Sequence, residues 1–402
     1  MPISAPLRDV AVVFARLGLT AFGGPAAHIA AMDEAVVERR GWLSRDAFAD
    51  LVGAANLIPG PNSTELAMHL GYRRAGWPGL FVAGGCFILP AVLLVWGFAW
   101  MYGRFGARVE AQAMLVGMQP AVLAVVVQAI WRLKGSLART RAGALLALTA
   151  FAGLMLGVSE LALLLGALVV AIVAANVPGR AAPAIAPPAS LLVAGAGTPL
   201  AANGAAVGAA IGSATGSAVG SAVGSAVAPG ALFLGFAKIG SVLFGSGYVL
   251  LTFLRGEFVQ RLGVLSDAQL LDAIAVGQVT PGPVFSAATF VGYLLGGHAG
   301  AAAATAGIFL PAFVGVAITA PLVPRLRRSP VLSRALDAVN AVTLALMAGV
   351  VVLMARGFVL SPWSAAILMG ASVLLLRTRL GAGWVLLGGA LTGLARLLLL
   401  GS

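Results

Sequence analysis

The residues able to act on a charged solute are few, and they stand in two matched sets. Arg16 and Lys238 are basic residues inside apolar stretches, each followed two positions later by a glycine. A cation in the middle of a membrane span costs about 2.5–3.5 kcal/mol on insertion scales, so one kept there suggests a task such as neutralising an anion. Snorkelling to the membrane surface is the alternative for Arg16, which lies near the start of its stretch. Pro59-Gly60-Pro61 and Pro281-Gly282-Pro283 interrupt two further apolar runs. Proline removes a backbone N–H and clashes one turn back, and glycine lowers helix propensity, so both tripeptides should break a helix. At membrane depth such a break is tolerated only where protein or a water-filled cavity satisfies the freed groups. Asn62, Ser63 and Thr64 follow the first break as the polar start of a new half-helix. Its free N–H groups and end charge of about +0.5 suit a tetrahedral dianion. Ser286 and Thr289 stand in the same region of the second set. A kinked structural helix or an external turn would use the same residues without a ligand.

Glu65 and His69 follow the first break at a spacing of four, so they share a helix face and could relay a proton. A structural pair, with each other or with Arg73, is the competing role. The second set has no acid at that place. Asn56 and Gln278 each precede their tripeptide by three residues and could bond freed carbonyls or a substrate. Gly23 and Gly24, matched by Gly245, Ser246 and Gly247, allow close backbone approach to a substrate or simple helix packing. His28, His298 and most tryptophans read as packing or interface positions.

The two sets are copies. Phe14-Ala15-Arg16, Gly18, Phe22-Gly23 and the first Pro-Gly-Pro return at a constant offset of 222. One residue is then lost, and Gly71-Tyr72, Gly76 and Pro90 match Gly292-Tyr293, Gly297 and Pro311. What repeats is mainly glycine, proline and one basic residue. A duplicated membrane protein with helices interrupted in both halves reads as a transporter.

The chain can supply such helices. Of its 402 residues 60% are hydrophobic and 9% charged, with a mean hydropathy of +1.01. A soluble domain carries about 25% charged residues, so the partner of this surface is a lipid bilayer. A net charge of +12 could suggest nucleic acid, but the basic residues sit in short clusters between apolar runs, where membrane topology explains them. A single cysteine, Cys86, and three scattered histidines leave no basis for a metal or redox centre, and no cofactor is expected. Arg8 and Asp9 run straight into the first repeat, unlike a cleavable signal peptide.

The expected fold is all-α and polytopic. Spans fall near 9–31, 47–70, 80–101, 113–131, 142–157 and 159–176, and again near 230–251, 268–291, 300–321, 337–355, 361–376 and 382–400. The basic loops at Arg73-Arg74 and Arg132–Arg141 in the first half, and at Arg325–Arg334 in the second, are both cytoplasmic only if the halves are inverted. Inversion needs an odd number of crossings between them. Residues 189–228 are uncharged and place Gly212, Gly216, Gly220 and Gly224 four apart, compatible with one close-packed crossing or with a low-complexity linker. The organisation is a first repeat over 1–180, an Ala/Gly/Pro/Ser-rich linker over 181–228 and a second repeat over 229–402, with about 13 spans in all.

Gly23-Gly24, Val37, Trp42, Pro59-Gly60-Pro61, Gly71 and Gly79, in this spacing, resemble the signature of the chromate ion transporter family, long-chain type. The second copy keeps Gly245, Val259, Pro281-Gly282-Pro283, Gly292 and Gly300, but has Val264 for the tryptophan and Ser246 for the second glycine. The resemblance implies a multi-pass protein of the bacterial inner membrane that exports chromate, with sulfate as the natural isostere. Sulfate or another oxyanion is the alternative cargo. An intramembrane enzyme is a remote one, since neither a His-Glu-x-x-His nor a Gly-x-Ser-x-Gly motif is present with partners at membrane depth. A homo-oligomer is compatible with the sequence.

Overall fold

The computed structural model describes residues 5–21, 24–55, 58–106, 108–137, 141–175, 227–243, 249–321, 330–359, 361–378 and 380–400. Gly23, Gly245, Ser246, Asn56 and nearly all of the linker lie outside these ranges. Among the described residues there are fourteen α-helices and no strand. The first repeat contributes α1 (Ala5–Thr20), α2 (Pro25–Asp33), α3 (Arg45–Ala55), α4 (Asn62–Phe105), α5 (Val109–Leu137), α6 (Arg141–Met155) and α7 (Glu160–Ala175). The second contributes α8 (Pro229–Val242), α9 (Leu250–Leu254), α10 (Asp267–Val279), α11 (Ala287–Thr319), α12 (Pro330–Val359), α13 (Pro362–Arg377) and α14 (Ala382–Leu400).

The copies share their irregularities as well as their helices. Alpha-4 reverses at Ala75 and Gly76, where Gly76 has φ 64° and ψ −152°. Alpha-11 reverses at Gly296 and Gly297, where Gly297 has φ 60° and ψ −149°. Only glycine enters that region freely, which is why the sequence keeps one at both places. Each reversal folds a half-helix back on the helix that follows. A Cβ on Gly71 would overlap the carbonyl of Gly79, and one on Gly292 would overlap that of Gly300. Both copies also carry a π-helical turn, Glu34–Glu38 and Arg255–Arg261, directly after α2 and α9.

The repeats are interlocked. The second limb of α4 packs on the second limb of α11: Phe81 stacks on Phe313, and Trp96 Nε1 donates to His298 Nδ1 at 3.0 Å. As the chain advances along α4 its contacts retreat along α11, so two equivalent helices meet antiparallel. A two-fold axis that relates antiparallel spanning helices is perpendicular to them and lies in the plane of the membrane they cross. The repeats are therefore inverted. Behind this layer α5 packs on α13 and α14, while α12 packs on α6 and α7, so each repeat holds the other's terminal helices.

Among the described residues, five helical segments are long and apolar enough to cross a bilayer: Asn62–Phe105, Val109–Trp131, Val284–Thr319, Ala338–Ala355 and Ala382–Leu399. Leu89, Leu93, Leu310 and Val314 point outward from them, while Thr64, Glu65, Ser286 and Thr289 are fully buried. Apolar outside and polar inside is the distribution a bilayer demands. The expected span 9–31 is not one helix: α1 stops at Thr20 and α2 starts at Pro25 after Gly24, whose φ is 81°. The expected span 47–70 is likewise divided, by Pro59-Gly60-Pro61, between α3 and α4. Proline at the first position of α2 and glycine before it explain the first division, which the interrupted apolar run did not reveal.

Candidate functional site

Besides the two reversals, each repeat has two breaks among the described residues, and these meet crosswise. Gly60 N–H donates to the Leu243 carbonyl at 2.7 Å, and Gly282 N–H donates to the Ala21 carbonyl at 3.0 Å. These bonds are images of each other, since Leu243 and Gly282 lie 222 residues after Ala21 and Gly60. Each Pro-Gly-Pro of one repeat is thereby tied to the break that ends the first helix of the other. Pro61 (φ −78°, ψ 93°), Pro283 (φ −71°, ψ 129°) and Leu243 (φ −85°, ψ 100°) are extended, so the crossing is made by short non-helical segments. The Gly60 and Gly282 N–H groups are thereby satisfied by protein, as membrane depth requires. Gly60 and Gly282 have φ of 144° and 91°, and a Cβ on them would approach Ala312 and Ala91 respectively, again matched positions.

Around the crossing stand the polar side chains. The first turn of α4 carries Asn62, Ser63, Thr64 and Glu65. His28, on α2, faces Ser63 (Nδ1 to Oγ, 3.2 Å), and its other ring nitrogen lies 3.1 Å from the Ala21 carbonyl. Sequence reasoning had given His28 only a packing place, because its partners are brought to it by the fold. Glu65 is fully buried, its carboxylate lies against Gly60, and neither oxygen has a hydrogen-bond partner among the described residues. His69 shares its helix face, and its Nε2 is buried without a partner, but no bond joins the two side chains among the described residues. On the second repeat Ser286 Oγ and Gln278 Nε2 are buried and have no partner among the described residues, and Thr289 bonds Thr305 at 2.7 Å. A helix start, buried hydroxyls and a buried amide are thus gathered at the crossing.

The two cations lie apart from this cluster. Arg16 is exposed and lines a cavity of about 180 Å³ with Arg39 and Arg40. Lys238 pairs with Glu257 at 3.3 Å, and Glu257 also receives Arg261. Burial pushes the Glu257 carboxyl up, but the bond from Arg261 and the charge of Lys238 outweigh it and hold it below the usual range. Another acid, Asp272 of α10, was not singled out by sequence. It is 4% exposed and accepts from Tyr102 and Gln119 of the first repeat, both at 3.0 Å. Its partners lie more than 150 positions away in the chain, so no local pattern marks it.

Interlocked inverted repeats, an apolar exterior and polar half-helix starts crossing at the centre define a polytopic membrane transporter. The family follows from comparison: the model of the chromate transporter family matches residues 8–174 and 230–394, once in each repeat, and the chain belongs to that family. The chromate transport protein of Cupriavidus metallidurans is 31% identical over 395 residues, covering 96% of this chain and 92% of that one. That of Pseudomonas aeruginosa is 32% identical over 302 residues, covering 75% and 69%. An uncharacterized transporter of Methanocaldococcus jannaschii is 24% identical over 375 residues, covering 92% and 89%. No solved structure matches the chain.

Proposed function

We infer that the chain is a secondary active transporter that moves chromate out of the cytoplasm across the bacterial inner membrane and so gives chromate resistance. The observation that carries this is the reciprocal pair of bonds, Gly60 to Leu243 and Gly282 to Ala21, which gathers four interruptions and two polar half-helix starts at one centre. Pro59-Gly60-Pro61 with Asn62, Ser63 and Thr64 forms one half of the substrate site, and Pro281-Gly282-Pro283 the other. Gly23, Gly24, Gly245 and Ser246 complete it by sequence position. The inside-negative potential itself favours export, by about 2.3 kcal/mol per net negative charge per 100 mV, one such charge for a dianion that leaves with a proton.

Glu65 supplies the coupling. An ionised carboxylate at the start of this half-helix would repel a dianion, so anion binding requires Glu65 to be protonated. His69, one turn on, is the second member of the proton path. Arg16 and Lys238 act on the anion outside the crossing, not at it. Sulfate or another tetrahedral oxyanion is the second cargo, because N–H and hydroxyl donors recognise shape and charge and not the central atom. No catalytic step is assigned to these residues. The repeat boundaries at 180 and 229 and a total of about 13 spans, one of them in the linker, belong to the same proposal.

The test is chromate accumulation in cells expressing the chain, with and without excess sulfate and a protonophore. Lower cellular chromate that rises again with the protonophore is expected. Accumulation equal to that of cells without the chain would contradict export.

A further inference from the structure

The two repeats treat the same cationic position differently. In the second, Glu257 stands between Lys238 and Arg261, accepting from Lys238 Nζ at 3.3 Å and from Arg261 Nε at 3.0 Å. Subtracting the repeat offset of 222 turns Lys238 into Arg16, Arg261 into Arg39 and Glu257 into Ala35. The first repeat thus keeps both cations and lacks the carboxylate. Where that carboxylate would stand there is a cavity of about 180 Å³, lined by Arg16, Thr20, Glu34, Ala35, Arg39 and Arg40 among others.

The charge around the cavity is unbalanced. Three guanidinium groups face one carboxylate, Glu34, which is engaged by Arg39. Arg16 has no ion pair or side-chain hydrogen bond among the described residues, and Arg40 donates only to the Ala35 carbonyl, at 3.2 Å. The net excess is two positive charges, the match for a dianion. In the second repeat Glu257 answers Lys238 and Arg261, and Asp267 takes Arg255 at 2.8 and 3.0 Å, the charge-swapped image of the Asp33–Arg45 pair of the first. Both sites sit on π-helical turns, which are frequent at functional positions.

We propose that the cavity of Arg16, Arg39 and Arg40 is an oxyanion capture site, distinct from the crossing of the half-helices, and that Glu257 fills the equivalent site of the second repeat as a built-in anion. The second repeat shows what this cationic geometry holds, namely a carboxylate oxyanion. The first repeat leaves the place to a free one. Inversion puts the two sites at opposite faces, so the molecule has one face open to anions and one closed by its own side chain. This rests on the oxyanion cargo inferred above.

The experiment is chromate flux into proteoliposomes carrying the full chain, read as KM and kcat at low and high concentrations of an inert salt. Ala35→Glu reproduces the second repeat's carboxylate, and Ala35→Gln places the same bulk there without charge. Ala35→Glu is expected to raise KM about tenfold over Ala35→Gln at low salt, with kcat of the two alike, and the gap should close near 1 M salt, where the screening length is about 3 Å. Arg40→Gln, an exposed change that does not depend on cavity fit, should raise KM in the same salt-dependent way. Equal KM for the two Ala35 variants, or an effect on kcat alone, would overturn the capture site while leaving the transport reading intact. Wild-type chain without chromate or sulfate flux would overturn both.

Discussion

Glu257 serves two cations at once, and its removal should be felt as a loss of stability that depends on pH. Its carboxyl is held below the usual range, so the stabilisation is fully present at and above that range and is lost as pH falls through the lowered value. The melting temperature of Glu257→Gln should therefore fall below wild type at neutral pH and converge with it in acid. A constant difference at every pH would count against the ion cluster. Asp272 makes a different case, since it is buried with two neutral donors. Asp272→Ala should cost about 1–3 kcal/mol, because Tyr102 and Gln119 lose their acceptor inside the protein. Thermal unfolding of the purified protein in detergent measures it, and an unchanged melting temperature would refute the bond. Arg16 and Lys238 were legible in the sequence as basic residues in apolar runs. Their opposite fates were not, because a one-residue displacement of an acid, Glu34 against Glu257, decides which cation is answered. His28 and Asp272 were missed for the same reason, having partners chosen by tertiary contact.

At the scale of elements, glycine spacing is the main device. Gly71→Ala and Gly292→Ala each drive a Cβ into a backbone carbonyl of the returning helix. Overpacking of this kind costs about 1–3 kcal/mol, and here it would also open the half-helix hairpin that carries the polar start. Gly85, beside which a Cβ meets nothing within 4 Å, is the control; Gly85→Ala should be neutral or stabilising by up to about 1 kcal/mol. Melting temperatures of the three variants compare directly, and equal values would remove the close-approach argument. The interruptions were legible at Pro-Gly-Pro, where residue type alone forbids a regular helix. The break after Thr20 was not read as one, since Gly23-Gly24 in an apolar run serves helix packing equally well. The reversals at Gly76 and Gly297 looked like ordinary loops, and only their φ values show that each copy needs a glycine.

For the whole molecule, the duplication announced itself because glycine and proline are retained at matched positions while apolar residues drift. Inversion could be argued from basic loops, and the antiparallel contact of α4 with α11 now gives it a geometric basis. The crossing of the breaks was invisible in the chain, since a two-fold relation pairs segments that no local signal connects. Topology follows: epitopes inserted beside Arg139 and beside Arg327 should both report cytoplasm, and one after Gly106 the opposite face. A shared face for Gly106 and Arg327, which follow equivalent helices, would contradict inversion. The central claim is that the crossed interruptions form an oxyanion path. Its most direct measurement is chromate flux through proteoliposomes containing wild-type chain and the pair Gly60→Val and Gly282→Val, which place branched side chains at the two crossing bonds. The account predicts saturable wild-type flux that sulfate inhibits and that the double variant loses while still inserting. Flux in the double variant equal to wild type would contradict it.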